Sequence, residues 1–161
     1  MQDLNVTLIQ SNLFWEQPEL NFKHFDMLFE KVSYTDLIIL PEMFSTGFTM
    51  QSKTFADFME GKSVNWMRNH AIKKDAVITG SLIIEEDGKF FNRLIWMQPD
   101  GEFDCYDKRH LFAFGEEDKH YSPGNKRLIA SVKGWKINLQ VCYDLRFPVW
   151  ARQKNTEAGA E

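Results

Sequence analysis

The chain has 161 residues, 43% of them hydrophobic and 26% charged, with a formal net charge of −4. Its 14 Phe, 5 Trp and 4 Tyr are too many large apolar side chains for a disordered segment, and the length suits one domain with a substantial core. The acidic balance argues against a nucleic-acid partner, whose phosphates need a basic footprint, and no apolar run approaches the ~18 residues of a membrane span.

Met1-Gln2-Asp3-Leu4-Asn5 has neither the basic start nor the apolar core of a signal peptide. Two cysteines, Cys105 and Cys142, cannot make a zinc site unaided, and a chain of this length needs no staple. A reduced, cytoplasmic protein is the expectation.

Residues 4–10 alternate, with Leu4, Val6 and Leu8 on one face, and predict a strand. Pro18 suits a first helical turn, and Phe25, Leu28, Phe29 and Val32 at helical spacing predict an amphipathic helix over 18–33. Residues 36–40 are a short apolar run closed by Pro41, a buried strand. Ser63 is a candidate cap for a helix reaching Lys74, with Val64, Met67 and Ala71 inward. Ala76–Ile84 and Phe90–Met97 flank the turn Asp87-Gly88, and Pro99-Asp100-Gly101 makes another turn, so this stretch reads as an antiparallel meander. Residues 112–126 read as a loop. Residues 127–132 and 135–141 predict a strand pair across Lys133-Gly134, and Pro148 restarts a helix. The order is that of an α/β protein with a mixed sheet and helices packed outside. The small, polar stretch Asn155–Glu161 follows abruptly, where more structure is expected.

Three segments carry chemistry. Glu42 lies just past a buried strand, where α/β proteins keep their ligand crevices and a partly shielded carboxylate makes a usable base; loop orientation is the equal alternative. Lys108, in Tyr106-Asp107-Lys108-Arg109-His110-Leu111-Phe112, can stabilise the anion of an attacked carbonyl, although a charged surface stretch has the same look. Cys142 ends a strand and a helix begins within a few residues, a turn that exposes a side chain and favours its thiolate. A buried structural cysteine is the alternative, and it suits Cys105 better. Together, Glu42, Lys108 and Cys142 form a coherent set for nucleophilic acyl transfer, with the Tyr143 N–H as a second oxyanion donor.

The ordered set Leu-Pro-Glu42, Asp-Lys108-Arg-His-Leu-Phe, Ser-Pro-Gly124 and Cys142-Tyr-Asp-Leu-Arg-Phe-Pro resembles the nitrilase, or carbon–nitrogen hydrolase, superfamily. The resemblance implies a four-layer α-β-β-α sandwich, present here as its N-terminal part, in a single domain over 1–161 whose C-terminal portion is missing. It implies a Glu42–Lys108–Cys142 site and a second glutamate before Ser122-Pro123-Gly124, best fitted by Glu117, with Glu116 the runner-up. Within the superfamily, Cys142-Tyr-Asp-Leu-Arg-Phe-Pro and Pro-Glu42-Met-Phe-Ser-Thr-Gly-Phe look most like the omega-amidase branch, which hydrolyses terminal amides of dicarboxylic acid monoamides such as 2-oxoglutaramate. Arg146 can clamp a carboxylate, with a salt bridge to Asp144 or another local acid as the alternative. Phe44, Phe48, Phe112 and Phe147 are candidate walls for a short carbon chain, or core residues.

The resemblance implies a small-molecule amide substrate, no cofactor, no metal, and a homodimer or higher homo-oligomer of the full-length parent. The competing readings are a nitrile or carbamoyl-amide hydrolase, a non-catalytic binding module on the same fold, a redox pair of Cys105 with Cys142, and a Cys–His hydrolase using His110. The last is disfavoured because no Asn or Asp is evidently placed to orient that histidine.

Overall fold

Strands β1 (Val6–Leu8), β2 (Leu37–Ile39) and β3 (Val77–Glu86) run parallel. Strands β4 (Lys89–Met97) and β5 (Phe103–Asp107) fold back antiparallel, completing one sheet in the order β1-β2-β3-β4-β5. The computed structural model describes residues 2–152; Asn155–Glu161 lies outside them. The meander forms because Asp87-Gly88 and Gly101 adopt positive φ at the two turns. The parallel half forms because α1 (Pro18–Lys31) and α3 (Lys62–Lys74) cross between strands.

Both helices cover one face of the sheet. Phe22, Phe25 and Phe29 of α1 and Val64, Met67 and Ala71 of α3 pack on Ile38, Ile78, Leu82 and Ile95. Fully burying each large apolar side chain contributes about 2 kcal/mol. Phe44, expected as a candidate pocket wall, belongs to this core, edge-on to Phe25. Ser63 is not the cap of α3. The helix starts after Gly61, and Asp57 Oδ2 accepts from the Ser63 N–H at 2.7 Å.

The opposite face meets a second, two-stranded sheet, β6 (Ile129–Val132) with β7 (Trp135–Asn138). Ala130, Leu139 and Val141 pack on Leu37, Val77, Trp96 and Tyr106. Helix, sheet and sheet therefore stack as three successive layers, in a mixed α/β fold. The outer strand β1 carries Val6 and Leu8 on this second face, where both are exposed. The stretch 112–126 is more ordered than a loop. It holds a 3₁₀ turn (Ala113–Gly115) and α4 (Glu117–His120). The short α2 (Ser52–Phe55) and α5 (Pro148–Ala151) complete the elements. No helix among the described residues is long and apolar enough to cross a membrane.

Candidate active site

Each chemical group stands on a segment whose backbone is fixed by its neighbours. Glu42 follows β2, where the Leu40 N–H still bonds Thr79 O. The next residue, Met43, takes a left-handed φ of 45°, and its N–H is held by Ser81 Oγ at 2.9 Å. The loop is tied to α1 through Asn21, whose Nδ2 donates to Ser45 O. Lys108 follows β5, and its N–H bonds Asn92 O on β4 at 3.0 Å. Ser122-Pro123-Gly124 explains itself here. The Gly124 N–H bonds Lys108 O, and a Cβ at Gly124 would lie 2.1 Å from the Asp107 carbonyl oxygen, so only glycine fits.

Glu42, Lys108 and Cys142 meet. Lys108 Nζ lies 2.8 Å from Glu42 Oε1 and 2.8 Å from Glu117 Oε2. Lys108 and Glu117 are fully buried, while Glu42 is partly open. Burial is the largest influence on Lys108 and would lower its pKa. The two carboxylates outweigh it and raise it, so the group stays an ammonium. Phe48 covers this ammonium, its ring centre 5.1 Å from Nζ. The buried glutamate is Glu117, which also accepts from the Phe112 N–H at 2.6 Å. Glu116 is exposed and pairs with Lys119.

Asn92 joins the cluster unannounced by the sequence. Its Nδ2 donates to Glu42 Oε1 at 2.7 Å and to Glu117 Oε1 at 3.0 Å.

Cys142 opens a 3₁₀ turn (Cys142–Arg146) with a strained φ of 44°, which turns its side chain out of the strand direction. The Tyr143 N–H, in the first turn, has no intrahelical acceptor. The thiol is exposed at the surface of the turn, yet its pKa is raised, against the expectation of a stabilised thiolate. Burial of its inner side is the first cause and the Glu42 charge the second. Lys108 pulls the other way and is outweighed. The resting group is a thiol beside a carboxylate. Cys105 is also exposed, not buried as expected, and burial of its inner side raises its pKa as well. Both cysteines are free thiols.

A cavity of about 440 Å³ opens beside Cys142, walled by Glu42, Phe48, Phe112, Tyr143, Leu145 and Arg146. Phe147 is not a wall. It lies flat on His110, with ring centres 3.7 Å apart. The exposed guanidinium of Arg146 has no ion pair among the described residues. Its expected local partner, Asp144, is fully buried and spent elsewhere. It accepts from the His110 N–H, His110 Nδ1, the Tyr106 hydroxyl and the Val141 N–H. An Asp does therefore orient His110. His110 is nevertheless engaged by Asp144 and stacked on Phe147, whereas Glu42 shares the cavity with Cys142.

A model of the carbon–nitrogen hydrolase domain matches residues 5–161. The chain belongs to the carbon–nitrogen hydrolase family. Among its relatives in that family, the omega-amidase YafV of Yersinia enterocolitica is 44% identical over 154 residues, which are 96% of this chain and 60% of the relative. A 2-oxoglutaramate amidase of Bacillus subtilis is 28% identical over 159 residues, 96% of this chain and 61% of the relative. The crystal structure of XC1258 from Xanthomonas campestris, a CN-hydrolase superfamily protein with an arsenic adduct in its active site, superposes with a TM-score of 0.92. It shares 44% identity and covers 96% of this chain and 58% of its own. The chain thus spans about three-fifths of the length of these carbon–nitrogen hydrolases. The superposition confirms the nitrilase-like fold expected from the motifs.

Proposed function

We propose that the full-length protein hydrolyses the terminal amide of a small dicarboxylic acid monoamide, of the 2-oxoglutaramate kind, through a Cys142 thioester. The observation that carries this reading is that Cys142 and Glu42 line one cavity, with Glu42 itself paired with the buried Lys108. Glu42 takes the thiol proton as sulfur attacks the amide carbon. The oxyanion is held by the charge of the Lys108 ammonium, which Glu42 and Glu117 fix in place, and by the Tyr143 N–H. Glu42 passes its proton to the nitrogen, the C–N bond breaks, and ammonia leaves. Water then attacks the thioester while Glu42 takes its proton. The tetrahedral adduct collapses to the acid, and the sulfur recovers the proton from Glu42. Glu117 holds Lys108 in place throughout.

The substrate class is supported by the cavity. Phe48, Phe112 and Tyr143 suit a short carbon chain, and Arg146 at the rim suits its distal carboxylate. The names of the YafV and Bacillus subtilis relatives agree. The reading includes one carbon–nitrogen hydrolase domain of which these residues are the first part, acting as a homo-oligomer in the reducing cytoplasm, where a free thiol survives. The test is ammonia release from 2-oxoglutaramate by the purified full-length protein. The reading expects turnover that C142A abolishes; turnover in C142A equal to wild type would overturn it.

A further inference from the structure

We infer that Asn92 is a positioning residue for the acid–base step, holding Glu42 and Glu117 side by side through its one amide nitrogen. The inference rests on the reading of Glu42 as the base. Asn92 sits on β4 opposite Ile83, almost wholly buried. Its two N–H groups go to two different carboxylates, at 2.7 and 3.0 Å. Its Oδ1 is buried and has no hydrogen-bond partner. A buried acceptor left unpaired is unfavourable, so this side chain is in place for its donors. The opposite amide orientation would aim Oδ1 at both carboxylates, so the assignment is fixed by charge.

The cluster contains two carboxylates and one ammonium, with little water to screen them. Lys108 and Asn92 both bond Glu42 at Oε1. That leaves Oε2 for the Cys142 proton. Lys108 alone would leave the Glu42 carboxylate free to rotate about one contact. The second donor, from a strand interior, fixes the plane of the carboxylate. Asn92 does not itself line the cavity, and its side-chain bonds go only to Glu42 and Glu117, so it acts through them.

The test uses N92D and N92A in the full-length enzyme, with kcat, KM and their pH dependence for ammonia release. The groups facing position 92 are Glu42 after β2, Lys108 after β5 and Glu117 on α4, and Cys142 and Tyr121 feel the charges of both glutamates. N92D adds a third carboxylate against one ammonium. It is expected to lower kcat by about 10²-fold at neutral pH, with KM within about 3-fold. The deficit should narrow as the pH falls, because the introduced carboxyl regains a proton that it can donate. N92A should lower kcat about 10-fold with no such narrowing. Should N92D not fold, N92A decides alone, through kcat at unchanged KM. Wild-type kcat in both variants, or an equal, pH-independent loss in both, would overturn the inference. An active E42Q would remove the base reading itself. An inactive E42Q beside normal Asn92 variants would remove only the role of Asn92.

Discussion

Asp144 accepts from His110 twice, its Oδ1 lying 2.8 Å from the backbone nitrogen and 2.8 Å from ring Nδ1. His110 is two residues past Lys108, and Asp144 two past Cys142. This one carboxylate therefore ties the nucleophile's turn to the segment of the ammonium. Its Oδ2 adds Tyr106 at 2.7 Å and the Val141 N–H at 3.1 Å. Trp150 in turn donates to the Tyr106 hydroxyl. Burial, then the bond to Asp144, raises the Tyr106 pKa, so the phenol remains a donor.

The first prediction follows from that tie. D144N leaves one oxygen to accept and places an NH2 group against donors. The expected result is a kcat lowered about 10²-fold with KM little changed, because the turn shifts against Lys108. Stability should fall by about 1–3 kcal/mol. Steady-state kinetics and urea unfolding check both. Wild-type kcat would show that the tie does not position the nucleophile.

Glu42 and Lys108 act in opposite directions on the Cys142 thiol, and alkylation exposes the signs. The thiol pKa is raised, so its reaction with iodoacetamide climbs at higher pH than that of an ordinary cysteine. E42Q removes a charge that raises it, moving the profile to lower pH. K108M removes the charge that lowers it, moving the profile higher. E42Q should also lower ammonia release by about 10²–10⁴-fold while it alkylates faster at neutral pH. Peptide mass mapping reads Cys142 separately from Cys105. A shift of the same sign in both variants would break the assignment.

Arg146 gives a specificity prediction. R146A should raise KM for 2-oxoglutaramate about 10–100-fold, the loss expected for one charge-assisted contact. A neutral amide of similar length, lacking the distal carboxylate, should be hydrolysed equally by both forms. Parallel kinetics on the two substrates check it. Equal losses on both would place Arg146 in the structure of the turn.

Gly124 gives a stability prediction. A methyl group there meets Asp107 backbone atoms at 2.1 and 2.8 Å, which cannot yield without moving Lys108. G124A should destabilise the protein by about 3 kcal/mol and lower kcat with it. Thermal unfolding beside ammonia release measures both.

The legible part of the site was the part written in contiguous motifs at strand ends. Glu42, Lys108 and Cys142 each stand where an extended run stops, which sequence patterning finds. Asn92 was hidden because it is one polar residue inside the strand Lys89–Met97, and its partners lie on other elements. Asp144 was in plain view but read as a partner for Arg146; only burial shows that it faces His110 and Tyr106. Phe44, Phe48 and Phe147 are alike as letters, and packing alone separates core, cavity wall and stacking partner. The direction of the Cys142 pKa departs from the sequence expectation for a related reason. The turn's geometry favours a thiolate, but burial and the nearby Glu42 oppose it, and their balance depends on distances. In the fold, the meander was legible through its turns, whereas the capping of α3 by Asp57 was not, since Asp57 reaches past Gly61 to do it.

The covalent step is tested most directly by acid-quenching the full-length enzyme during turnover of 2-oxoglutaramate and mass-mapping its cysteine peptides. The account predicts an adduct equal to the substrate less ammonia on the Cys142 peptide, none on the Cys105 peptide, and none in C142A. Sustained ammonia release by C142A, or an adduct on Cys105 with Cys142 unmodified, would contradict it.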